Sequence, residues 1–208
     1  ETRLAEVATI IQGAGFARRR LRRWMRPSRQ PVGWRLQPAR ARVHTQPLGV
    51  VGIISPSNYP WSLAWLPAID ALAAGNRVMI KPSEQTPATS ALMARLAARY
   101  FAPAELCVME GDAEVARAFA ALPFDHLLFT GSAAIGREVA RAAAANLTPI
   151  TLELGGKTPV LIAGDADLEK AAERIAFGKW LNAGRTCIAP DHVLVEAPQL
   201  EEFLKAMQ

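Results

Sequence analysis

Residues 47–84 read PLGVVGIISPSNYPWSLAWLPAIDALAAGNRVMIKPSE. Two short apolar runs frame this stretch, Val50 to Ile54 and Arg77 to Ile80, and each has the length and composition of a buried strand. Between them, Leu63 to Ala74 reads as a helix that Gly75-Asn76 brings to an end. A strand, a helix and a second strand with short connections form the unit from which parallel sheets are built.

The pattern continues downstream. Thr86-Pro87 reads as an N-cap followed by proline at the first helical position. Leu92, Met93, Leu96 and Tyr100 are then expected to share one helical face. Leu106 to Met109 is predicted as a strand, Ala113 to Leu122 as a helix, Leu127 to Phe129 as a strand and Ile135 to Ala145 as an alanine-rich helix. Ile150, Leu152 and Leu154 alternate with Thr151 and Glu153, which puts Glu153 on the opposite side of that strand from the leucines. Val160 to Ile162 continues extended. Asp167 can cap a helix in which Leu168, Ala171, Ala172 and Ile175 align. Asn182 to Pro190 has loop composition, Val193 to Val195 reads as a strand, and a helix follows from Gln199. The expected class is α/β, a mostly parallel sheet covered on both faces.

Composition narrows the function classes. Half of the 208 residues are hydrophobic, yet no apolar run reaches the roughly 18 residues of a membrane span. Two cysteines are too few for a disulfide framework, so a reducing cytoplasm is expected. The net charge of +5 is local: residues 18–42 hold ten arginines and no acid, and the remainder holds 14 basic against 19 acidic groups. Such a stretch, with Trp24 and Trp34, suits an anionic surface, but the rest of the chain lacks a nucleic-acid signature. We therefore read it as a solvated basic helix and linker on the outside of an enzyme, with no nucleic-acid partner. The chain starts without methionine and stops inside a predicted helix, so it reads as a piece of a longer protein.

Four stretches carry chemistry. Gly131 to Gly136 follows a strand and opens a helix, where free N–H groups and a positive dipole end favour a phosphate. It is not a P-loop, because Arg137-Glu138 replaces the Lys-Ser/Thr pair; read alone, it is a tight strand-to-helix turn. Lys81-Pro82-Ser83-Glu84 follows a strand end, where a carboxylate can accept from ribose hydroxyls. Cys187 lies in a polar turn beside Arg185, a setting that favours the thiolate. Cys107 lies in an apolar strand and reads as a small buried hydrophobe. His44, His126 and His192 show no metal spacing, and a Cys–His hydrolase built on Cys187 stays open.

Taken together, these segments resemble the aldehyde dehydrogenase superfamily from about Pro47 to Val195. The carrying stretches are Pro56-Ser-Asn-Tyr-Pro60, Ala74-Gly-Asn76, Lys81-Pro-Ser-Glu84, Phe124-Asp-His-Leu-Leu-Phe-Thr-Gly-Ser132, Leu152-Glu-Leu-Gly-Gly-Lys157 and Asn182-Ala-Gly-Arg-Thr-Cys187. The Asn58-Tyr59-Pro60 and Cys187-Ile-Ala-Pro-Asp191 stretches look most like the class 3 branch, and the basic leader is similar to that of bacterial coniferyl aldehyde dehydrogenases.

The resemblance implies a parallel-sheet dinucleotide-binding domain at 46–156, preceded by a basic helical leader at 1–45 and followed by an incomplete catalytic domain at 157–208. It implies NAD(P)-linked oxidation of an aldehyde, aromatic and coniferyl-like within that branch, to an acid. Cys187 would be the nucleophile. Asn58, with the Cys187 backbone N–H, would form the oxyanion hole. Glu153 would be the general base for hydrolysis of the thioester. Lys81 and Glu84 would hold the adenosine ribose, and Gly131, Ser132 and Gly136 would lie along the pyrophosphate. Glu84 would repel a 2′-phosphate, which favours NAD while leaving NADP open. A homodimer is implied for a longer version. Ser57 stands where the family usually has tryptophan, Arg185 where glutamine is common, and Ala133 where threonine is frequent. The other readings are a truncated remnant with residual nucleotide binding, the cysteine hydrolase, and a basic-arm nucleic-acid binder.

Overall fold

In a computed structural model, which describes residues 2–208, the first strand of the quoted stretch becomes the centre of a sheet. The chain opens with a π-helical segment, Thr2–Ala8, that runs into α1 (Thr9–Trp24). A two-stranded antiparallel ribbon follows, β1 (Ser28–Gln30) with β2 (Ala41–Val43). Then β3 (Val50–Ile54), α2 (Ser62–Ala73), β4 (Arg77–Lys81), α3 (Pro87–Tyr100), β5 (Leu106–Val108), α4 (Ala113–Ala120), β6 (His126–Gly131), α5 (Ala133–Ala144) and β7 (Ile150–Leu154) succeed one another. The five-stranded sheet runs β5-β4-β3-β6-β7, with β3 parallel to both β4 and β6, and β4 parallel to β5. The class is α/β, as the alternating pattern predicts.

Strand periodicity divides the core between the two faces of this sheet. Val51 and Ile53 of β3, Val78 and Ile80 of β4, and Leu106 pack with alanines of α2 and with Met93 and Ala97 of α3. Ile54, Leu127 and Phe129 point the other way, against Phe119, Phe124, Val139 and Ala143. Gly52 lies under the Phe124 ring, and a Cβ there would come within 2.6 Å of it. Entry into β3 is tied from two sides. Asn76 Oδ1 accepts from the N–H groups of Leu48 and Gly49 at 2.6 and 3.0 Å, while Asp125 Oδ2 accepts from Val50 N–H at 2.7 Å. That explains Gly75-Asn76 after α2: Gly75 takes φ +87°, and Asn76 is then 9% exposed and bonded to both segments.

Two expectations for α3 need correction. Its inward face is Ser90, Met93 and Ala97, while Leu92 and Tyr100 are 38% and 68% exposed. Ser90, Met93 and Ala97 follow the i, i+3, i+7 spacing of one helical stripe, which Leu92 lies off, and Tyr100, at the helix end, carries the Arg99 guanidinium over its ring. Thr86 holds the N-cap position, but its side chain caps no backbone N–H and donates to Ser83 O instead.

Residues through Glu153 form one compact unit and Leu154–Gln208 a second. In the second, β8 (Thr158–Leu161) pairs in parallel with β9 (Pro190–Leu194). The crossover is α6 (Leu168–Trp180), whose Leu168, Ala172 and Ile175 pack with Ile162 and with Phe203 of α7 (Leu200–Ala206). Asp167 Oδ1 caps α6 by accepting from Lys170 N–H at 3.0 Å. A 3-10 turn, Leu181–Gly184, leads out of α6, and Asn182, Ala183 and Gly184 in it all take positive φ, at 52°, 52° and 75°. No helix of the described residues is long and apolar enough to cross a membrane.

Candidate active site

Chain connections leave β3 in opposite directions, toward β4 on one side and, much later in sequence, toward β6 on the other. Ligand sites in open parallel sheets form outside the carboxyl ends of the strands at such a point. A cleft of about 510 Å³ opens there. Its rim is the turn after β3 (Ile54 to Ser57), the turn after β4 (Lys81 to Gln85) and the end of β6 (Phe129 to Ser132). The structure thus brings together the lysine–glutamate pair and the glycine turn, which lie some fifty residues apart in sequence.

Lys81 is 1% exposed on the cleft wall. Its Nζ donates to Pro82 O at 2.7 Å and lies 3.6 Å from Glu84 Oε2, with the Glu84 side chain 47% exposed. A buried ammonium needs such partners, and the pair holds a cation inside the wall and a carboxylate at the opening. At Gly131 a Cβ would come within 2.5 Å of the Phe129 ring, so only glycine lets the backbone lie there. Ser132 Oγ caps α5 by accepting from Ile135 N–H at 3.3 Å. The helix start beside it offers positive potential to an anion. Gly136 does not reach the cleft: it is buried in α5 and its N–H donates to Ser132 O at 2.9 Å.

Sequence reasoning missed the apolar walls. Ala113, Ala116 and Ala120 of α4 face Ile135, Val139 and Ala142 of α5 across the cleft. The signal was there, since both triplets follow helical spacing and one is all alanine, so each helix turns small or apolar side chains to the cleft. Asp112 fixes the start of α4: its Oδ1 accepts from the N–H groups of Glu114 and Val115 at 2.9 and 3.2 Å, and these bonds hold its carboxyl below the usual range.

Asn58 is half-buried in the loop between β3 and α2. Its Oδ1 accepts from Tyr59 N–H at 3.0 Å, which sets the carbonyl and amino ends of the side-chain amide. Glu153 is exposed near the end of β7, in the first unit. Cys187 is an exposed free thiol in the second, three residues after the run of positive φ. Its carbonyl accepts from Thr158 Oγ1 at 3.4 Å. Lys157 Nζ reaches Asp191 Oδ1 at 3.1 Å, and this bond, with His192 alongside, holds the Asp191 carboxyl below its ordinary range. The cysteine loop is therefore tied to the residues that follow Leu152-Glu-Leu-Gly-Gly156. Among the described residues no cluster of His, Cys, Asp or Glu is suited to a metal ion.

The two cysteines differ physically. Cys107 is half-buried, and burial pushes its thiol up. Iodoacetamide near neutral pH should therefore label Cys187 first. Peptide mapping reads the order, and Cys107 labelled ahead of Cys187 would contradict it.

The chain belongs to the aldehyde dehydrogenase family: a model of that family matches residues 1–208. It is 55% identical over 204 residues to a probable coniferyl aldehyde dehydrogenase of Pseudomonas aeruginosa, a match covering 98% of this chain and 43% of that protein. The solved substrate-bound AldH of Staphylococcus aureus superposes with a TM-score of 0.94 at 39% identity, over 97% of this chain and 44% of that one. An aldehyde dehydrogenase of Mycobacterium tuberculosis complexed with NAD+ superposes at 0.87 and 32% identity, over 99% and 42%. The chain thus spans less than half the length of these relatives.

Proposed function

We propose that the protein carrying this chain oxidises an aldehyde, of an aromatic, coniferyl-like kind, to a carboxylic acid, with NAD as acceptor and a covalent thioester on Cys187. The observation that carries this reading is the cleft at the ends of β3, β4 and β6, with a buried cation, a carboxylate, a glycine that tolerates no side chain and a helix start around one space. These features fit a dinucleotide. Lys81 and Glu84 hold its ribose hydroxyls, Gly131 and Ser132 flank its pyrophosphate, and the alanine face of α4 opposite Ile135 and Val139 receives a flat ring. When bound, the nicotinamide supplies the acceptor for hydride.

The remaining roles belong to the chain's own groups. The Cys187 thiolate adds to the aldehyde carbon, and the resulting oxyanion is met by the Asn58 side-chain amide and the Cys187 N–H. After oxidation a thioester remains, and Glu153 removes a proton from the water that hydrolyses it. We place the protein in the cytoplasm, in keeping with its two free thiols, and as a homodimer in a longer form.

Calorimetric titration of NAD and NADP tests the cofactor half of this reading. NAD should bind more tightly, and Glu84→Ala should narrow the preference by about tenfold, because the carboxylate at the opening repels a 2′-phosphate. Absence of heat with both nucleotides would overturn the assignment of the cleft.

A further inference from the structure

Helix α2 starts without a side-chain cap of its own, since Trp61 stands at its N-cap position. The carboxylate that serves instead comes from 55 residues upstream. Glu6 Oε2 accepts from Trp61 N–H at 2.8 Å and from Ser62 N–H at 3.2 Å. Glu6 is 6% exposed, although its own segment is mostly exposed. A carboxylate at a helix N-terminus is favoured by the dipole and by charge-assisted bonds, and burial strengthens both. Glu6 thus holds the first free N–H groups of α2 from outside the helix.

What lies just ahead of that start is the loop bearing Asn58. Its near end is tied to β4 through Ser55 N–H to Lys81 O at 3.1 Å, and its middle through Ser57 Oγ to Gln85 Oε1 at 2.9 Å. The far end enters α2 through Leu63 N–H to Tyr59 O at 3.1 Å and is held from outside by Glu6. We infer that Glu6 is a positioning residue for Asn58, fixing the α2 start from which the oxyanion donor is held. This rests on the reading of Asn58 given above. Oxyanion donors must be placed to within about 0.5 Å, so a loose α2 start reaches the chemistry although Glu6 touches no substrate.

A double-mutant cycle tests it, in an active protein of the relatives' length that carries these residues. Glu6→Ala should lower kcat by about tenfold or more, with KM for NAD unchanged. Glu6→Gln keeps an acceptor at the same reach and should restore most of kcat. Asn58→Ala should lower kcat further, and the Glu6→Ala/Asn58→Ala pair should be no worse than Asn58→Ala alone. If Glu6→Ala does not fold, Glu6→Asp, whose carboxylate is drawn back by one methylene, takes its place in the cycle. A Glu6 variant that loses thermal stability but keeps kcat would overturn the inference, as would fully multiplicative losses in the pair. An Asn58→Ala protein with normal kcat would overturn the oxyanion reading itself, and Glu6's role with it.

Discussion

On the proposed reading, Cys187→Ala ends aldehyde oxidation, with a loss in kcat on the order of 10⁴-fold or more, because that reading routes the covalent intermediate through this one thiol. Cys107 cannot stand in: it lies within a strand of the first unit, and burial raises its thiol. NAD binding should be unchanged, since no residue of the cysteine loop lines the cleft between α4 and α5. The measurement is intact-protein mass after mixing with an aromatic aldehyde and NAD, in a protein of the relatives' length. With hydrolysis slowed by Glu153→Gln, the protein should gain the mass of one acyl group, and the same protein with Cys187→Ala added should gain none. Acylation surviving in Cys187→Ala would assign the nucleophile elsewhere.

Glu153→Gln separates the two halves of the reaction. Removing a general base costs about 10²–10⁴-fold in the step it serves. If that step is hydrolysis of the thioester, the variant should give one rapid equivalent of NADH and then a steady rate reduced by about that factor. The acyl-enzyme should accumulate, and hydroxylamine, a nucleophile that needs no base, should speed its release. Glutamine matches glutamate in size, and the side chain at 153 is exposed on an edge strand, so folding should be little affected. Normal turnover without a burst would remove Glu153 from deacylation.

Much of this architecture was legible because β3 and β4 are short apolar runs, α2 gives way to Gly75, and α4, α5 and α6 begin at the capping residues Asp112, Ser132 and Asp167. Those are local signals with local causes. The inward stripe of α3 is harder to read, because Ser90 and Ala97 share it with Met93: hydrophobicity points to Leu92 and Tyr100, while the structure buries Ser90 and Ala97. Lys81 and Glu84 were visible as a motif, yet the near-complete burial of Lys81 depends on three strands meeting, which no linear pattern records. Gly136 follows the motif's spacing, but in the structure that spacing is a helical turn, and it carries the residue away from the cleft. Glu6 gave no sign at all, because a cap supplied from 55 residues away leaves no trace near the helix it serves.

The placement of β3 at the centre of the sheet shapes the order in which the nascent chain can complete its fold. β4 arrives soon after β3, but β6, which covers the other edge, is not made until residue 126 and beyond, and Val50 waits for Asp125 across 75 residues. Until then a strand as apolar as Val51, Ile53 and Ile54 has one open edge. Open apolar edges recruit strands from other molecules. At about 5–20 residues per second, the ribosome leaves that edge uncovered for several seconds. A holdase covering β3 in that interval would guard the edge at the stage when the finished fold cannot yet do so.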